Sequence, residues 1–149
     1  MEGTERETLT EELLERLLAS ATPEAYLTSS DSDVDARDLA EFLRDLLAEK
    51  GLSRADVIRG SGLNATFCYQ VFQGTRRIGR DNAIMLAFGL RCTLRETQRL
   101  LRHAGVSELW CRVRRDAIII HCIDNGLTRE RCDDELYRLG EPTLLPEDR

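Results

Sequence analysis

The chain has 149 residues, the length of one domain or of a domain with an appendage, and its 42% hydrophobic content excludes a wholly disordered chain. The absence of a long apolar stretch, of a secretory signal and of any Cys-x-x-Cys pair among its five cysteines predicts a cytoplasmic protein with reduced thiols. The net charge of −6 divides into −10 over residues 1–49, +9 over 50–115 and −5 over 116–149, which is typical of a polyanion-binding middle segment.

The first predicted element is a weak helix in the first twenty residues, where leucines recur at helical spacing. They are Leu9, Leu13, Leu14, Leu17 and Leu18. A polar linker follows, so residues 1–34 are predicted to be an acidic N-terminal helix with its linker. The next helix is predicted from about Asp35 to Lys50, with an apolar stripe along one side. The stripe consists of Leu39, Phe42, Leu43, Leu46 and Leu47.

Six more helices are predicted from caps and periodicity, at 53–60, 64–73, 79–88, 93–104, 112–124 and 128–139. Gly51, Gly89 and Gly126 each read as a glycine that stops a helix, and each is followed by a Ser or Thr N-cap. The β-branched run at 117–123 resembles a strand, but nothing else in the chain offers a strand partner. We therefore predict a buried helix there and an all-α fold.

Two of these short helices, 53–60 and 64–73, are joined by a tight turn through Gly62 and predict a helix-turn-helix. Helical spacing turns Cys68, Val71 and Phe72 toward the core. The opposite face carries Thr66, Tyr69, Gln70 and Gln73 and no acid, so it can approach a phosphate backbone and read base edges. Arginines on both sides of this helix are expected to contact phosphates. They are Arg54, Arg59, Arg76, Arg77 and Arg80.

The stretch from Leu52 to Thr75 resembles the Xre/lambda-repressor-like (Cro/CI-type) helix-turn-helix family without a gap. The matching positions are Ser53, Arg54, Ala55, Val57, Ile58, Gly62, Cys68, Val71 and Gly74. The resemblance implies a lambda-repressor-like five-helix DNA-binding domain over residues 35–106, here with an N-terminal helix and a C-terminal helical pair.

The resemblance also implies site residues. Ala65, Thr66 and Gln70 fall at base-reading positions, to which the outward-facing Tyr69 is added. The backbone-contacting positions are Ser53, Arg54, Gln73, Thr75 and Arg77, with Arg76 and Arg80 added on the basis of charge. Because the recognition helix has no Arg or Lys, the commonest guanine contact is missing. Gln70 can pair with an adenine edge and Ala65 can meet a thymine methyl, which predicts readout of A·T pairs.

The leading prediction is a sequence-specific transcriptional regulator that binds double-stranded DNA, with no cofactor, no metal and no catalytic step. The alternative is a helical adaptor that uses the same fold for protein–protein contacts, since Phe67 and Tyr69 are bulky for a recognition helix. An enzyme is the weakest of the three hypotheses, because no nucleophile–base or metal-ligand spacing occurs. His103 and His121 are interpreted as structural histidines, and the cysteines as small core residues.

The two flanks leave several roles open. The acidic N-terminal helix is interpreted as a solvated extension, a protein-binding element or an inhibitor that covers the basic middle. Residues 107–149 are predicted to be a helical extension that packs on the first domain or on a second copy in a homodimer, with Trp110 at the junction. The arginines at 112, 114 and 115 could form a solvated helix face or meet a phosphate or acidic surface.

Overall fold

The computed structural model describes residues 14–15, 18–19 and 36–146 of the chain. The described part is all-helical and contains no strand, which confirms the predicted class. The chain divides into two compact units, residues 1–35 and 36–149. The second unit contains seven described helices, and it holds the predicted helix-turn-helix segment together with the C-terminal helical pair.

The helix boundaries follow the capping signals of the sequence closely. The helices are α1 Ala36–Lys50, α2 Arg54–Ser61, α3 Ala65–Gln73, α4 Arg80–Gly89, α5 Leu94–His103, α6 Arg114–Asp124 and α7 Arg129–Arg138. Each predicted boundary within this unit lies within two residues of the observed one. The prediction of a helix for the β-branched run at 117–123 is also confirmed, since the run lies inside α6.

Local hydrogen bonds define where α2 and α3 begin, and a glycine ends α2. Ser53 and Asp56 form a reciprocal capping box at the start of α2, with distances of 3.0 and 3.1 Å. Asn64 accepts a hydrogen bond from the Phe67 N–H at 3.2 Å and so caps α3. Gly62 ends α2 with a φ of 79°, a left-handed conformation that strongly favours glycine.

A single apolar core joins the helices of the second unit. α1 contributes Leu39, Leu43 and Leu46, and the predicted inward side of α3 contributes Cys68, Val71 and Phe72. α4 lies at the centre, because five consecutive residues from Ala83 to Ala87 are all buried. The C-terminal pair adds Ile119, Cys122, Cys132 and Leu136 to the same core. The pair therefore packs on its own chain, with α7 against α4 and α6 against α5.

Gly89 has a different role from the predicted helix stop. It is the last residue of α4 and is buried, and the left-handed conformation falls instead on Arg91, whose φ is 53°. A Cβ atom at Gly89 would lie 2.6 Å from the Val57 carbonyl oxygen and 3.0 Å from the Ser61 Cβ. The glycine is needed because the backbones of α2 and α4 approach each other there, which no local sequence signal indicates.

Two ion pairs connect the first turn of α6 to the start of α4, and in one of them the carboxylate is buried. The guanidinium of Arg80 donates to both carboxylate oxygens of Asp116, at 3.0 and 2.6 Å, and Asp116 is only 3% exposed. Arg115 makes a second bidentate pair with Asp81, at 2.9 and 3.0 Å. Burial alone would raise the pKa of Asp116, but the hydrogen bonds from Arg80 and from the Trp110 N–H outweigh it and hold the pKa below its ordinary value.

Trp110, predicted at the junction, contacts it through its backbone. Its N–H donates to Asp116 at 2.9 Å, whereas its side chain is 59% exposed. The arginines at the start of α6 have internal acidic partners, because Arg114 pairs with Glu141 at 3.0 Å and Arg115 with Asp81. These carboxylates offset the electrostatic repulsion between the arginines and the positive N-terminal end of the helix dipole.

The first unit is described at four residues only. Leu14–Glu15 and Leu18–Ala19 are helical, and the side chains of Leu14 and Leu18 are 53% and 74% exposed. The remaining leucines of the predicted N-terminal stripe lie outside the described residues. No helix in the described ranges is both long enough and apolar enough to cross a membrane.

Candidate nucleic-acid interface

The outer side of α3 is an open polar surface. Ala65, Thr66 and Gln73 are exposed, Tyr69 is 44% exposed and Gln70 is half-buried. Because no residue of α3 is charged, this surface carries hydroxyl and amide groups but no carboxylate that would repel a polyanion. The described residues, including the C-terminal helices, leave it open to solvent. The structure thus brings the four predicted base-reading residues together on one accessible side of α3.

Two arginines flank this surface and are held by aromatic rings of α3. The guanidinium carbon of Arg54 lies 5.2 Å from the centre of the Tyr69 ring and 5.9 Å from that of Phe72. The guanidinium carbon of Arg76 lies 5.3 Å from the centre of the Phe67 ring. Cation–π attraction of this kind orients an arginine without neutralising its charge. The two bulky aromatics, unexpected in a recognition helix, therefore position the cations beside it.

The amide of Gln70 is already engaged within the chain. Its Oε1 accepts a hydrogen bond from Arg76 Nη1 at 3.3 Å, while its backbone carbonyl accepts from the Thr75 hydroxyl at 3.2 Å. A bidentate contact with an adenine needs both Oε1 and Nε2 of the glutamine. Because an amide oxygen has two lone pairs, Oε1 can accept a second hydrogen bond while the contact with Arg76 orients the amide.

The other predicted backbone-contacting residues lie at the ends of α2 and α3. Ser53 uses its N–H and a lone pair of its hydroxyl oxygen in the capping box, which leaves the hydroxyl proton to donate. Gln73 and Thr75 are exposed beside Gly74, where α3 ends. Arg77 is exposed in the following loop. Gln73, Thr75 and Arg77 thus extend the polar surface of α3 at its C-terminal end.

Arg80 does not take the predicted role. Besides the pair with Asp116, its Nε donates to the Ser107 carbonyl and Nη2 to the Glu108 carbonyl, both at 3.0 Å. All its donor nitrogens are therefore used in holding the C-terminal segment, so we exclude Arg80 from the interface. Arg59 is also placed elsewhere, because it pairs with Asp56 at 2.5 Å and lines a cavity against the C-terminal helices.

The histidines and cysteines form no site of their own. His103 hydrogen-bonds Asp38 at 2.6 Å and stacks on Phe42, whereas His121 is exposed. Cys68, Cys122 and Cys132 are buried, but Cys92 is half-buried and Cys111 exposed, so the interpretation of all five as core residues is wrong for Cys111. Among the residues that the structure describes, no cluster of His, Cys, Asp or Glu has the arrangement of a metal site.

No protein-family model matches the chain, and neither the curated proteins nor the solved structures contain a significant match.

Proposed function

We propose that the chain is a DNA-binding transcriptional regulator with a lambda-repressor-like arrangement of α1 to α5, in which α3 enters the major groove. The observation that carries the proposal is the uncharged polar side of α3, open to solvent and flanked by Arg54 on one side and by Arg76 on the other. The gapless resemblance of residues 52–75 to the Xre/lambda-repressor-like family supports the same docking.

The dimensions and chemistry of α3 suit the major groove. An α-helix with its side chains is about 10–12 Å across, and the groove is about 12 Å wide. Ala65 and Thr66 lie in the first turn, the part of a recognition helix that approaches base edges. The small side chain of Ala65 permits a close approach, and Thr66 offers both a methyl and a hydroxyl.

The flanking arginines supply the sequence-independent part of the affinity. Each cation that neutralises a phosphate releases condensed counterions, so binding weakens steeply as salt rises. Arg76 has a second function in this proposal. The hydrogen bond from Arg76 to Oε1 of Gln70 orients the amide and leaves the second lone pair of Oε1 and the Nε2 donor for an adenine. Arg76 thereby joins a cationic flank to the base-reading side chain.

A protein-binding adaptor is the second candidate, favoured by the 44% exposure of Tyr69 at the middle of the same surface. Exposed tyrosines are enriched in protein interfaces. The adaptor function predicts no affinity for duplex DNA at any salt concentration, so one experiment separates the two.

The test measures binding of the full chain to a pool of random-sequence duplexes by fluorescence anisotropy over a series of salt concentrations. We expect the chain to bind at low salt. The logarithm of its association constant should fall linearly with the logarithm of the salt concentration. Replacing Arg77 with alanine should weaken binding to all duplexes alike and lower the slope by about one. The matched control is Arg131→Ala on the exposed side of α7, which should change neither the affinity for duplex DNA nor the slope of its salt dependence. Equal effects of the two substitutions, or no binding at low salt, would contradict the proposal.

The bound duplexes from the same pool, recovered and sequenced, report on specificity. We expect a motif that contains A·T pairs, and we expect Gln70→Ala to relax the preference at one base pair by about 1–3 kcal/mol. A motif made of G·C pairs alone would contradict the assignment of Gln70 and Ala65.

A further inference from the structure

A cavity of about 450 Å³ lies on the side of the molecule that α2, α4 and the α6–α7 turn share. Its walls come from the second half of α2, the end of α4, the loop that follows α4, and the start of α7. The volume falls within the range of small-molecule sites, which is about 300–1,000 Å³. Neither the polar side of α3 nor its flanking arginines line it, so it is separate from the proposed DNA interface.

Three arginines from three different elements line this cavity: Arg59 from α2, Arg91 from the α4–α5 loop and Arg129 from α7. Two of these arginines have carboxylate partners, since Arg59 pairs with Asp56 and Arg129 pairs with Glu130 and Asp133. Arg91 is the lining cation whose charge no carboxylate of the described residues pairs with. The N-terminus of α7, at Thr128, also belongs to the wall, and its helix dipole adds partial positive charge. The electrostatics of the cavity therefore favour an anion.

Arg129 is a buried arginine of the cavity wall, and its Nε faces Gly62. Its side chain is only 8% exposed, and its Nη1 and Nη2 donate to Asp133 at 2.6 Å and to Glu130 at 3.3 Å. Its Nε has no hydrogen-bond partner, and no other buried side-chain nitrogen or oxygen in the described part of the chain is left so. An unsatisfied buried donor is costly, and the position of this guanidinium is held by its two carboxylate partners.

Arg91 is the second unusual group at the cavity. Its φ of 53° makes it the one non-glycine residue with a positive φ in the described ranges. Left-handed backbone is unfavourable for a non-glycine residue, and here it belongs to the turn that ends α4. The N–H groups of Arg91 and Cys92 donate to the Phe88 and Ala87 carbonyls, both at 3.0 Å, and this turn directs Arg91 from the end of α4. Lys50 Nζ donates to the Arg91 carbonyl at 3.2 Å and helps to hold the loop in this conformation. A glycine would relieve the strain but would remove a cation from the wall.

The rest of the wall is apolar. Phe88, Ile123 and Leu127 line the cavity beside the backbone of the α4 C-terminus. A purely inorganic anion would leave this surface in contact with water. An occupant with an apolar group would bury it, which contributes about 25 cal/mol per Å² of apolar area removed from water.

We propose that this cavity binds a small amphipathic organic anion, in which a phosphate or carboxylate group is attached to an apolar ring or short chain. The anionic group lies among Arg59, Arg91 and Arg129, and the apolar part contacts Phe88 and Leu127. The site also adjoins the turn of the helix-turn-helix, because a Cβ atom at Gly62 would lie 2.8 Å from Arg129 Nε. This proposal does not depend on DNA binding.

The test uses phenyl phosphate as the probe and the full chain, with binding followed by titration calorimetry and by the rise in Tm that a native-state ligand produces. We expect saturable one-to-one binding with a Kd below about 10 mM. Benzyl alcohol, which lacks the charge, and inorganic phosphate, which lacks the ring, should each bind at least about tenfold more weakly.

Three variants locate the site. Arg91→Asn removes the cation but retains a residue that tolerates a positive φ, and it should weaken phenyl phosphate binding about tenfold. Arg59→Gln, at an exposed position, should act in the same direction. The matched control is Arg131→Gln, outside the cavity on the exposed side of α7. Non-saturable binding, or equal effects of Arg91→Asn and Arg131→Gln, would overturn the proposal.

Discussion

Replacing Gly89 with alanine is expected to lower the free energy of unfolding by about 2–3 kcal/mol, the cost of overpacking a close contact. The added Cβ would lie 2.6 Å from the Val57 carbonyl oxygen and 3.0 Å from the Ser61 nitrogen. Both atoms belong to the backbone of α2, so neither can turn away as a flexible side chain would. Helix α4 would have to move away from α2, the first helix of the helix-turn-helix. Urea unfolding followed by circular dichroism measures the change.

The sign of this effect is informative, because Gly→Ala in an unobstructed helix stabilises a protein by about 0.5–1 kcal/mol. The control is Gly79→Ala at the N-cap of α4, where the φ is −79° and an added Cβ meets no atom within 4 Å. It should change the stability by less than about 1 kcal/mol. If Gly89→Ala left the stability unchanged or raised it, the close packing of α2 on α4 would be wrong.

Replacing Asp116 with asparagine is expected to cost about 3 kcal/mol, the lower end of the range for breaking a buried ion pair. Asp116 accepts two hydrogen bonds from Arg80 and one from the Trp110 N–H, at 2.6–3.0 Å. An asparagine with its oxygen toward Trp110 turns an N–H₂ donor toward the guanidinium. The guanidinium then retains a charge that its former partner no longer neutralises. The exposed Asp124→Asn on the same helix is the matched control and should have little effect.

The pH dependence gives this prediction its second readout. Because the pKa of Asp116 is lowered on folding, its contribution is fully present above the unfolded-state pKa near 3.8. The contribution is lost as the pH falls through the lower folded-state pKa. The stability difference between the wild-type chain and Asp116→Asn should therefore be constant between about pH 5 and 7 and narrow below about pH 4. A difference that persisted unchanged in acid would show that the loss has another cause than the carboxylate charge.

The sequence predicts the helices well because their boundaries are encoded locally. Ser53, Asn64, Thr93 and Thr128 each accept a hydrogen bond from the third residue of the helix that they cap. Such contacts span three residues and can be read from a short window. The buried side of α3 is predicted for the same reason, since helical spacing alone separates Cys68, Val71 and Phe72 from the polar side.

The sequence-based predictions are wrong where contacts between distant segments determine the role of a residue. The partner of Arg80 lies 36 positions away at Asp116, so the charge of Arg80 indicated a phosphate contact that the fold uses internally. Gly89 is interpreted as a helix stop because it precedes a Thr N-cap in the sequence. Its actual requirement comes from the close approach of Val57, which lies on another helix. The cavity arginines converge from three elements and have no common sequence pattern. An exposed Trp110 is likewise unexpected, since only the fold shows that its backbone and not its ring makes the contact.

The most direct test of the proposed DNA interface is chemical-shift mapping of the isotope-labelled full chain with a duplex selected from the random pool. We expect the amide signals of residues 65–70 and of the loop 74–77 to shift as duplex is added. The amide signals of α6 and α7 should not change. Shifts confined to α6 and α7, with the signals of α3 unchanged by a bound duplex, would contradict the account.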